Sequence, residues 1–202
     1  MSDTVFIPGP AGRLEAEIVR ATQSAGAANA SNELAVLCHP HPGYGGSRHD
    51  AVLDCLARAL GQRGVDVLRF NFRGVGASGG SIQGDGAEVD DLLAVTTWVG
   101  QELSPARLWL GGYSFGAAVV WQALDSLDPC RVLLIAPPVG RMHFAPRTPA
   151  MPVHVFAGSD DEFVDAPALQ RLHGLTVVSL AGADHFFSGQ HEDLAKAIAE
   201  VL

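Results

Sequence analysis

The sequence predicts an α/β protein whose mostly parallel central sheet is covered by helices on both faces. Continuous apolar segments of strand length alternate along the chain with segments whose apolar residues recur at helical spacing. Strands that are apolar throughout are typical of a parallel sheet buried on both faces. A serine, a group of aspartates and a histidine each follow one of the later strands. We expect residues 1–202 to form one domain, a usual size for a single core.

The first half of the chain predicts an opening pair of strands and two strand–helix units. Residues 5–7 and 14–19 predict the pair, and the second of them alternates apolar and polar side chains. Residues 21–32 are small and polar, which predicts a flexible loop. The two units consist of a strand at 34–38, a helix carrying Val52, Leu56 and Leu60 and ending at Gly64, a strand at 65–70, and a helix from Val89 to Leu103.

The second half predicts four more strands and further helices. The strands are expected at residues 107–111, 132–136, 152–157 and 176–180. Residues 117–124 predict a helix after the first of these strands. The chain closes with a helix whose apolar stripe contains Leu194, Ala197, Ile198, Val201 and Leu202.

Residues 112–116 read Gly-Tyr-Ser-Phe-Gly and lie between a predicted strand and a predicted helix. A Gly-x-Ser-x-Gly segment in that context forms a sharp turn that exposes the serine hydroxyl above the sheet. A free serine hydroxyl is a weak nucleophile and needs an adjacent base, which a third group orients. Ser114 therefore predicts nucleophilic catalysis only if a base and an acid follow it.

Candidates for both partners occur later in the chain. Asp160, Asp161 and Asp165 follow the strand at 152–157, and His185 follows the strand at 176–180. Asp165 is better explained as a helix N-cap, since Pro167 comes two residues later. The order serine, aspartate, histidine is that of α/β-hydrolases and differs from the orders in chymotrypsin and subtilisin.

Composition excludes several other classes of function. The net charge of −9 argues against a nucleic-acid partner, and the single lysine, Lys196, against Schiff-base or P-loop chemistry. The first residues lack the pattern of a signal peptide, and no apolar run predicts a membrane span. Cys38, Cys55 and Cys130 lie in apolar surroundings, as expected of buried thiols in a reducing compartment. We expect a cytoplasmic protein with neither a membrane nor a nucleic-acid partner.

Two further motifs are interpreted as structural. Residues 74–79 match Gly-x-Gly-x-x-Gly, but a glycine-rich loop follows where a dinucleotide site would require a helix. His39 and His41 resemble a pair of metal ligands, yet Pro40 and Pro42 indicate a stiff loop, and the usual zinc motifs are absent from the sequence. We therefore expect no metal and no cofactor.

With these residues in view, the sequence resembles the α/β-hydrolase superfamily over nearly its whole length. It is most similar to small bacterial hydrolases with a His-Pro-His-Pro-x-x-Gly-Gly loop, which resemble dienelactone hydrolases and prolyl oligopeptidase catalytic domains. The matching segments are residues 39–46, 70–78, 111–116 and 182–187. Dienelactone hydrolases use a cysteine nucleophile where this chain has Ser114, which argues against their lactone chemistry.

The resemblance implies roles for particular residues. The pattern Gly-x-x-Asp-x-x-Val begins at Gly158, which favours Asp161 over Asp160 as the acid beside Ser114 and His185. Oxyanion donors are expected from the amide of Phe115 and from the loop at 39–46. In that loop the prolines have no N–H, so the amide of His41 is the first choice, with Gly43 and Tyr44 as alternatives.

The predicted function is hydrolysis of small or short-acyl carboxylic esters through an acyl-enzyme. Residues 137–151 are too few to form a substantial lid between the sixth strand and the seventh, so we expect an open cleft. Its predicted substrate-binding residues are Tyr44, Phe144, Phe163 and Phe186, with Phe115 and Met142 beside them. Thioesters and small amides or peptides suit the same machinery. A non-catalytic binding protein on this scaffold is the alternative from another class.

Overall fold

The computed structural model describes residues 2–21, 32–83 and 86–202, so most of the predicted loop at 21–32 lies outside the described residues. Within these ranges eight strands form one sheet, and five α-helices flank it. The strands are β1 (Ser2–Gly9), β2 (Gly12–Val19), β3 (Glu33–Cys38), β4 (Asp66–Phe70), β5 (Arg107–Tyr113), β6 (Arg131–Ile135), β7 (Val153–Gly158) and β8 (Leu175–Leu180). The α-helices are α1 (Ala51–Gln62), α2 (Ala87–Glu102), α3 (Phe115–Ala123), α4 (Ala166–Gln170) and α5 (His191–Val201).

The sheet has the order β1-β2-β4-β3-β5-β6-β7-β8. Strands β1 and β2 pair antiparallel, and β2 also runs antiparallel to β4. From β4 to β8 every neighbouring pair is parallel. This arrangement confirms the predicted, mostly parallel sheet. It also brings the carboxyl ends of β5, β7 and β8, which precede Ser114, Asp161 and His185, to the same edge.

Alternate residues of each central strand enter two separate cores. Leu34 and Val36 of β3 belong to the core that contains buried residues of α2 and α3. Ala35 and Leu37 belong to the other, which contains buried residues of α1 and α5. Side chains of a strand alternate between faces, so a strand that is apolar at every position supplies both cores. The helices therefore cover both faces of the sheet, as predicted.

Two details of the predicted elements are confirmed, and one is corrected. Asp165 caps α4, since its Oδ1 accepts a hydrogen bond from the Ala168 amide at 2.8 Å. No helix begins at residues 74–79, and the next helix starts at Ala87. Cys130, expected to be buried, is only partly buried.

Residues 137–151 contain neither a helix nor a strand, so no substantial lid lies between β6 and β7. A single isolated bridge joins Val139 to Met142. Within the described ranges, no helix has both the length and the apolar content needed to cross a bilayer.

Candidate active site

Ser114 lies in a tight turn between β5 and α3. Its backbone is strained, with φ 53° and ψ −116°, a region that non-glycine residues rarely adopt. A Cβ on Gly112 would lie 2.4 Å from the carbonyl oxygen of Gly116, and one on Gly116 would lie 2.2 Å from that of Cys38. Only glycine permits these close approaches, so the two glycines allow the turn that holds Ser114 above the sheet.

Ser114, His185 and Asp161 form a continuous chain of hydrogen bonds. The Oγ of Ser114 lies 2.9 Å from Nε2 of His185. The Nδ1 of the same imidazole lies 2.8 Å from Oδ2 and 3.0 Å from Oδ1 of Asp161. A carboxylate only accepts hydrogen bonds, so Nδ1 carries the proton and Nε2 is left to accept from the serine hydroxyl. This arrangement allows the imidazole to remove the Ser114 proton.

The turn after β7 determines which aspartate reaches His185. The side chain of Asp161 is fully buried, and its Oδ1 also accepts a hydrogen bond from the Phe163 amide at 2.8 Å. Asp160 is exposed, and its carboxylate accepts instead from the hydroxyl of Ser159. Of the two candidates that the sequence left open, the structure therefore brings Asp161 to the histidine.

The loop that carries His185 is held by two residues that the sequence did not single out. The phenol of Tyr113 donates a hydrogen bond to the carbonyl oxygen of His185 at 3.0 Å. Burial raises the pKa of Tyr113, so the phenol stays protonated and can donate. The carboxylate of Asp184 accepts from the amides of Ser188 and Phe186, and these bonds lower its pKa. Tyr113 and His185 are 72 positions apart in sequence, so local sequence patterns carry no signal for this contact.

The loop after β3 is anchored by His39, which is completely buried. Its Nδ1 donates to the carbonyl oxygen of Pro40 at 2.7 Å, and its Nε2 accepts from the Phe72 amide at 3.1 Å. Burial lowers the pKa of His39 to about 4, so the ring is neutral near pH 7. With both nitrogens occupied, His39 has no lone pair free for a metal.

His41 follows in the same loop, against the first turn of α3. Its ring lies 5.1 Å from the ring of Phe115. The Gly43 amide donates to Nδ1 of His41 at 3.0 Å, and the Tyr44 amide donates to the His41 carbonyl oxygen at 3.1 Å. The two alternative oxyanion donors are thus engaged within the loop. Phe115 is the first residue of α3, where an amide has no acceptor within its own helix.

A cavity of about 700 Å³ surrounds Ser114 and His185. Its walls are mainly aromatic or apolar side chains, namely Pro40, Tyr44, Tyr113, Phe115, Pro138, Met142, Phe163 and Phe186. Tyr44 is 92% exposed and Phe186 is 59% exposed, so this side of the cavity is open to solvent. Two charged residues that the sequence interpretation missed, Asp50 and Arg141, also line the cavity.

Phe144 does not line this cavity, which corrects its predicted place in the cleft. Its ring lies 6.0 Å, centre to centre, from that of Trp121 in α3. It packs against the core that contains the buried residues of α3. The four residues predicted to bind substrate are all aromatic, and all of them follow predicted strands. Burial against α3 decides the position of Phe144, and local sequence does not reveal it.

No group of three His, Cys, Asp or Glu side chains suited to a metal ion occurs in the part of the chain that the structure describes. The triad residues are engaged with one another, and His39 is engaged with backbone groups. The site described here is therefore built from a serine, an imidazole and a carboxylate.

Comparison with known proteins identifies the family. A model described as the α/β hydrolase fold matches residues 36–136. An uncharacterised protein of Rickettsia prowazekii is 32% identical over 98% of this chain and 87% of its own length. The chain therefore belongs to the α/β-hydrolase family.

Two similar solved structures are described as serine hydrolases of the α/β fold. A crystal structure from Xanthomonas campestris, described as an α/β serine hydrolase without lid, has a TM-score of 0.90 and 37% identity, covering 98% of this chain and 92% of that one. An α/β serine hydrolase homologue from Coxiella burnetii has a TM-score of 0.90 and 33% identity, covering 99% of this chain and 97% of that one. These similarities support hydrolase activity on a scaffold without a lid.

Proposed function

We propose that this protein is a serine hydrolase that cleaves small or short-acyl carboxylic esters, with Ser114 as nucleophile. The observation that carries the proposal is the hydrogen-bonded series from the Ser114 hydroxyl through His185 to the buried carboxylate of Asp161. A nucleophile within 2.9 Å of a base, with that base oriented by a third group, is the arrangement used for acyl transfer.

The first half of the reaction forms an acyl-enzyme. Nε2 of His185 takes the hydroxyl proton as Oγ of Ser114 attacks the ester carbonyl carbon. The carbonyl electron pair moves to oxygen and gives a tetrahedral oxyanion. When that intermediate collapses, the bond to the alcohol oxygen breaks and the alcohol leaves with the proton from Nε2. Asp161 stabilises the imidazolium and holds the ring in the tautomer that the reaction needs.

Two backbone amides are proposed as donors to the oxyanion. The amide of Phe115, at the start of α3, supplies one, and the amide of His41 supplies the other. His41 is favoured over its two neighbours because the Gly43 and Tyr44 amides already donate within the loop. Each donor of this kind typically lowers the barrier by ~3–4 kcal/mol.

The second half of the reaction releases the acid. Water attacks the acyl carbonyl while His185 takes its proton, and the second tetrahedral intermediate collapses to the carboxylic acid and free Ser114. The proposed chemistry needs only these side chains, two amides and water. We also propose that it takes place in the cytoplasm, with a small ester-like molecule as the partner.

Labelling with a fluorophosphonate probe and turnover of p-nitrophenyl acetate together test the proposal. Wild-type protein should label at Ser114 and hydrolyse the ester, whereas Ser114→Ala should do neither and lose on the order of 10⁴-fold or more in kcat. Ser126→Ala is a matched control, since this serine is exposed and does not line the cavity that contains Ser114. A Ser114→Ala protein that keeps more than a few per cent of the activity would refute the assignment.

Labelling and turnover also distinguish an esterase from a non-catalytic binding protein, a thioesterase and an amide hydrolase. A non-catalytic binding protein would show no labelling at Ser114. If acyl-CoA or peptide anilide substrates give the higher kcat/KM in a parallel panel, the chain is a thioesterase or an amide hydrolase with the same nucleophile. Ester preference requires that the p-nitrophenyl esters give the highest value.

A further inference from the structure

One cationic side chain, Arg141, lies at the rim of the cavity that contains Ser114. It is exposed, and two contacts fix its direction. Its Nη2 donates to the carbonyl oxygen of Glu162 at 2.7 Å, and its guanidinium carbon lies 5.1 Å from the centre of the Phe163 ring. A guanidinium held on an aromatic face is pre-organised, so binding a ligand costs it little side-chain entropy.

The guanidinium lies one ring away from the proposed reaction centre. The Phe163 ring that it covers is 4.5 Å, centre to centre, from the imidazole of His185. That imidazole is in turn hydrogen-bonded to the Ser114 hydroxyl. A substrate with its carbonyl at Ser114 and its apolar chain along Phe163 would therefore place the far end of that chain close to Arg141.

Arg141 has no carboxylate partner within ion-pair distance among the residues that the structure describes. Arg48, Arg69 and Arg73, by contrast, are each paired with glutamate or aspartate. The other charged side chain of the cavity, Asp50, accepts hydrogen bonds from the Val52 and Leu53 amides as the N-cap of α1. Its carboxylate is thus held by the helix, while N–H groups of Arg141 remain available to a ligand.

We propose that Arg141 binds a carboxylate on the substrate, so that the site prefers esters carrying an anionic group over neutral esters of equal length. This inference rests on the proposed function, because it concerns the substrate of the same site. The whole chain carries a net charge of −9, which repels anions. A local cation at the rim counters that repulsion and fixes the orientation of the anion by charge-assisted hydrogen bonds.

The test compares kcat/KM for two esters of equal chain length, the p-nitrophenyl half-ester of adipic acid, which ends in a carboxylate, and p-nitrophenyl hexanoate, which ends in a methyl group. The ratio of the anionic to the neutral value should exceed one in the wild type. It should fall about tenfold in Arg141→Gln, as expected for loss of a hydrogen bond between charged groups, with the effect mainly in KM. Arg141→Lys should retain part of the ratio.

Arg58→Gln is the matched control, since it removes one positive charge from an exposed arginine that does not line this cavity. Its ratio should equal that of the wild type. Raising the salt concentration from about 0.02 M to about 0.5 M should lower the wild-type ratio, because an exposed charge is screened. A second pair, the butyrate esters of 4-hydroxybenzoate and 4-hydroxybenzamide, tests a carboxylate on the alcohol side. A fall in the ratio of anionic to neutral kcat/KM in Arg141→Gln, in either pair, supports the inference.

Three results would overturn the inference. They are a wild-type ratio below one in both pairs, equal ratios in Arg141→Gln and the wild type for both pairs, and an equal fall in Arg58→Gln. Neutral esters would still be hydrolysed through Ser114 in all three cases, so the proposed function would stand. If wild-type protein hydrolyses neither member of either pair, both proposals fail. Thermal melting of each variant separates altered recognition from misfolding.

Discussion

Asp161→Asn should inactivate the enzyme through the tautomer of His185. In the native turn the Phe163 amide donates to Oδ1 of Asp161, and Nδ1 of His185 donates to Oδ2 at 2.8 Å. An asparagine placed there keeps its carbonyl oxygen on the Phe163 amide, because only an acceptor satisfies that donor. Its NH₂ group then occupies the position of Oδ2 and points at Nδ1.

That orientation of the asparagine side chain favours the opposite tautomer of the His185 imidazole. Facing a donor, Nδ1 must become the acceptor, so the ring proton moves to Nε2, which lies 2.9 Å from the Ser114 hydroxyl. A protonated Nε2 cannot take the serine proton. The corresponding change in a serine protease lowers kcat by about 10⁴, which equals about 5 kcal/mol of transition-state stabilisation.

The assay is kcat/KM on p-nitrophenyl acetate, with unfolding curves to show that each variant is folded. Asp160→Asn is the control, since its exposed carboxylate accepts from the Ser159 hydroxyl and not from the imidazole, so the change should lower activity by less than about threefold. The reasoning is refuted if the Asp160 variant is the more damaged of the two, or if Asp161→Asn keeps more than about a tenth of wild-type activity while folded.

The remaining predictions concern substrate length and pH. Activity should fall from p-nitrophenyl butyrate to the laurate ester, with no jump above the critical micelle concentration. The reason is that residues 137–151 form no lid that could bury a long acyl chain or move at a lipid interface. Maximal activity on the decanoate or a longer ester would contradict this prediction. Burial lowers the pKa of His39 to about 4, whereas a histidine in the unfolded chain has a pKa of about 6.5. Between these two pH values the unfolded chain binds more protons than the folded protein, so the free energy of unfolding decreases as the pH falls from about 6.5 to about 4. The contribution of His39 to the free energy of unfolding should be about 2 kcal/mol smaller at pH 5 than at pH 7, measured in urea, and His39→Gln should lose less stability over the same range. Equal losses in both proteins would show that other groups cause it.

Several features of the fold and of the site are predictable from neighbouring residues alone. Residues 34–38 are apolar at every position because both faces of β3 are buried, and that composition indicates a parallel sheet without any knowledge of contacts. The turn at Ser114 was predictable because Gly112 and Gly116 are required wherever backbone approaches this closely. These signals are carried by neighbouring residues, which is why the sequence was sufficient to predict them.

Contacts between segments that are distant in the chain were harder to predict from the sequence. The sequence favoured Asp161 over Asp160 only through a family pattern, whereas in the structure the turn after β7 buries one carboxylate and exposes its neighbour. Phe144 looked equivalent to Phe163, yet it packs on Trp121 while Phe163 stacks beside His185.

By itself, the sequence determined the fold class, the order of its elements and the three residue types that meet at one edge of the sheet, because periodicity and turn chemistry are local. Only the tertiary structure decided that Tyr113 holds the His185 loop and that Arg141 reaches the cavity across Phe163. Side-chain direction depends on packing against residues far away in the chain, and no local pattern contains that information.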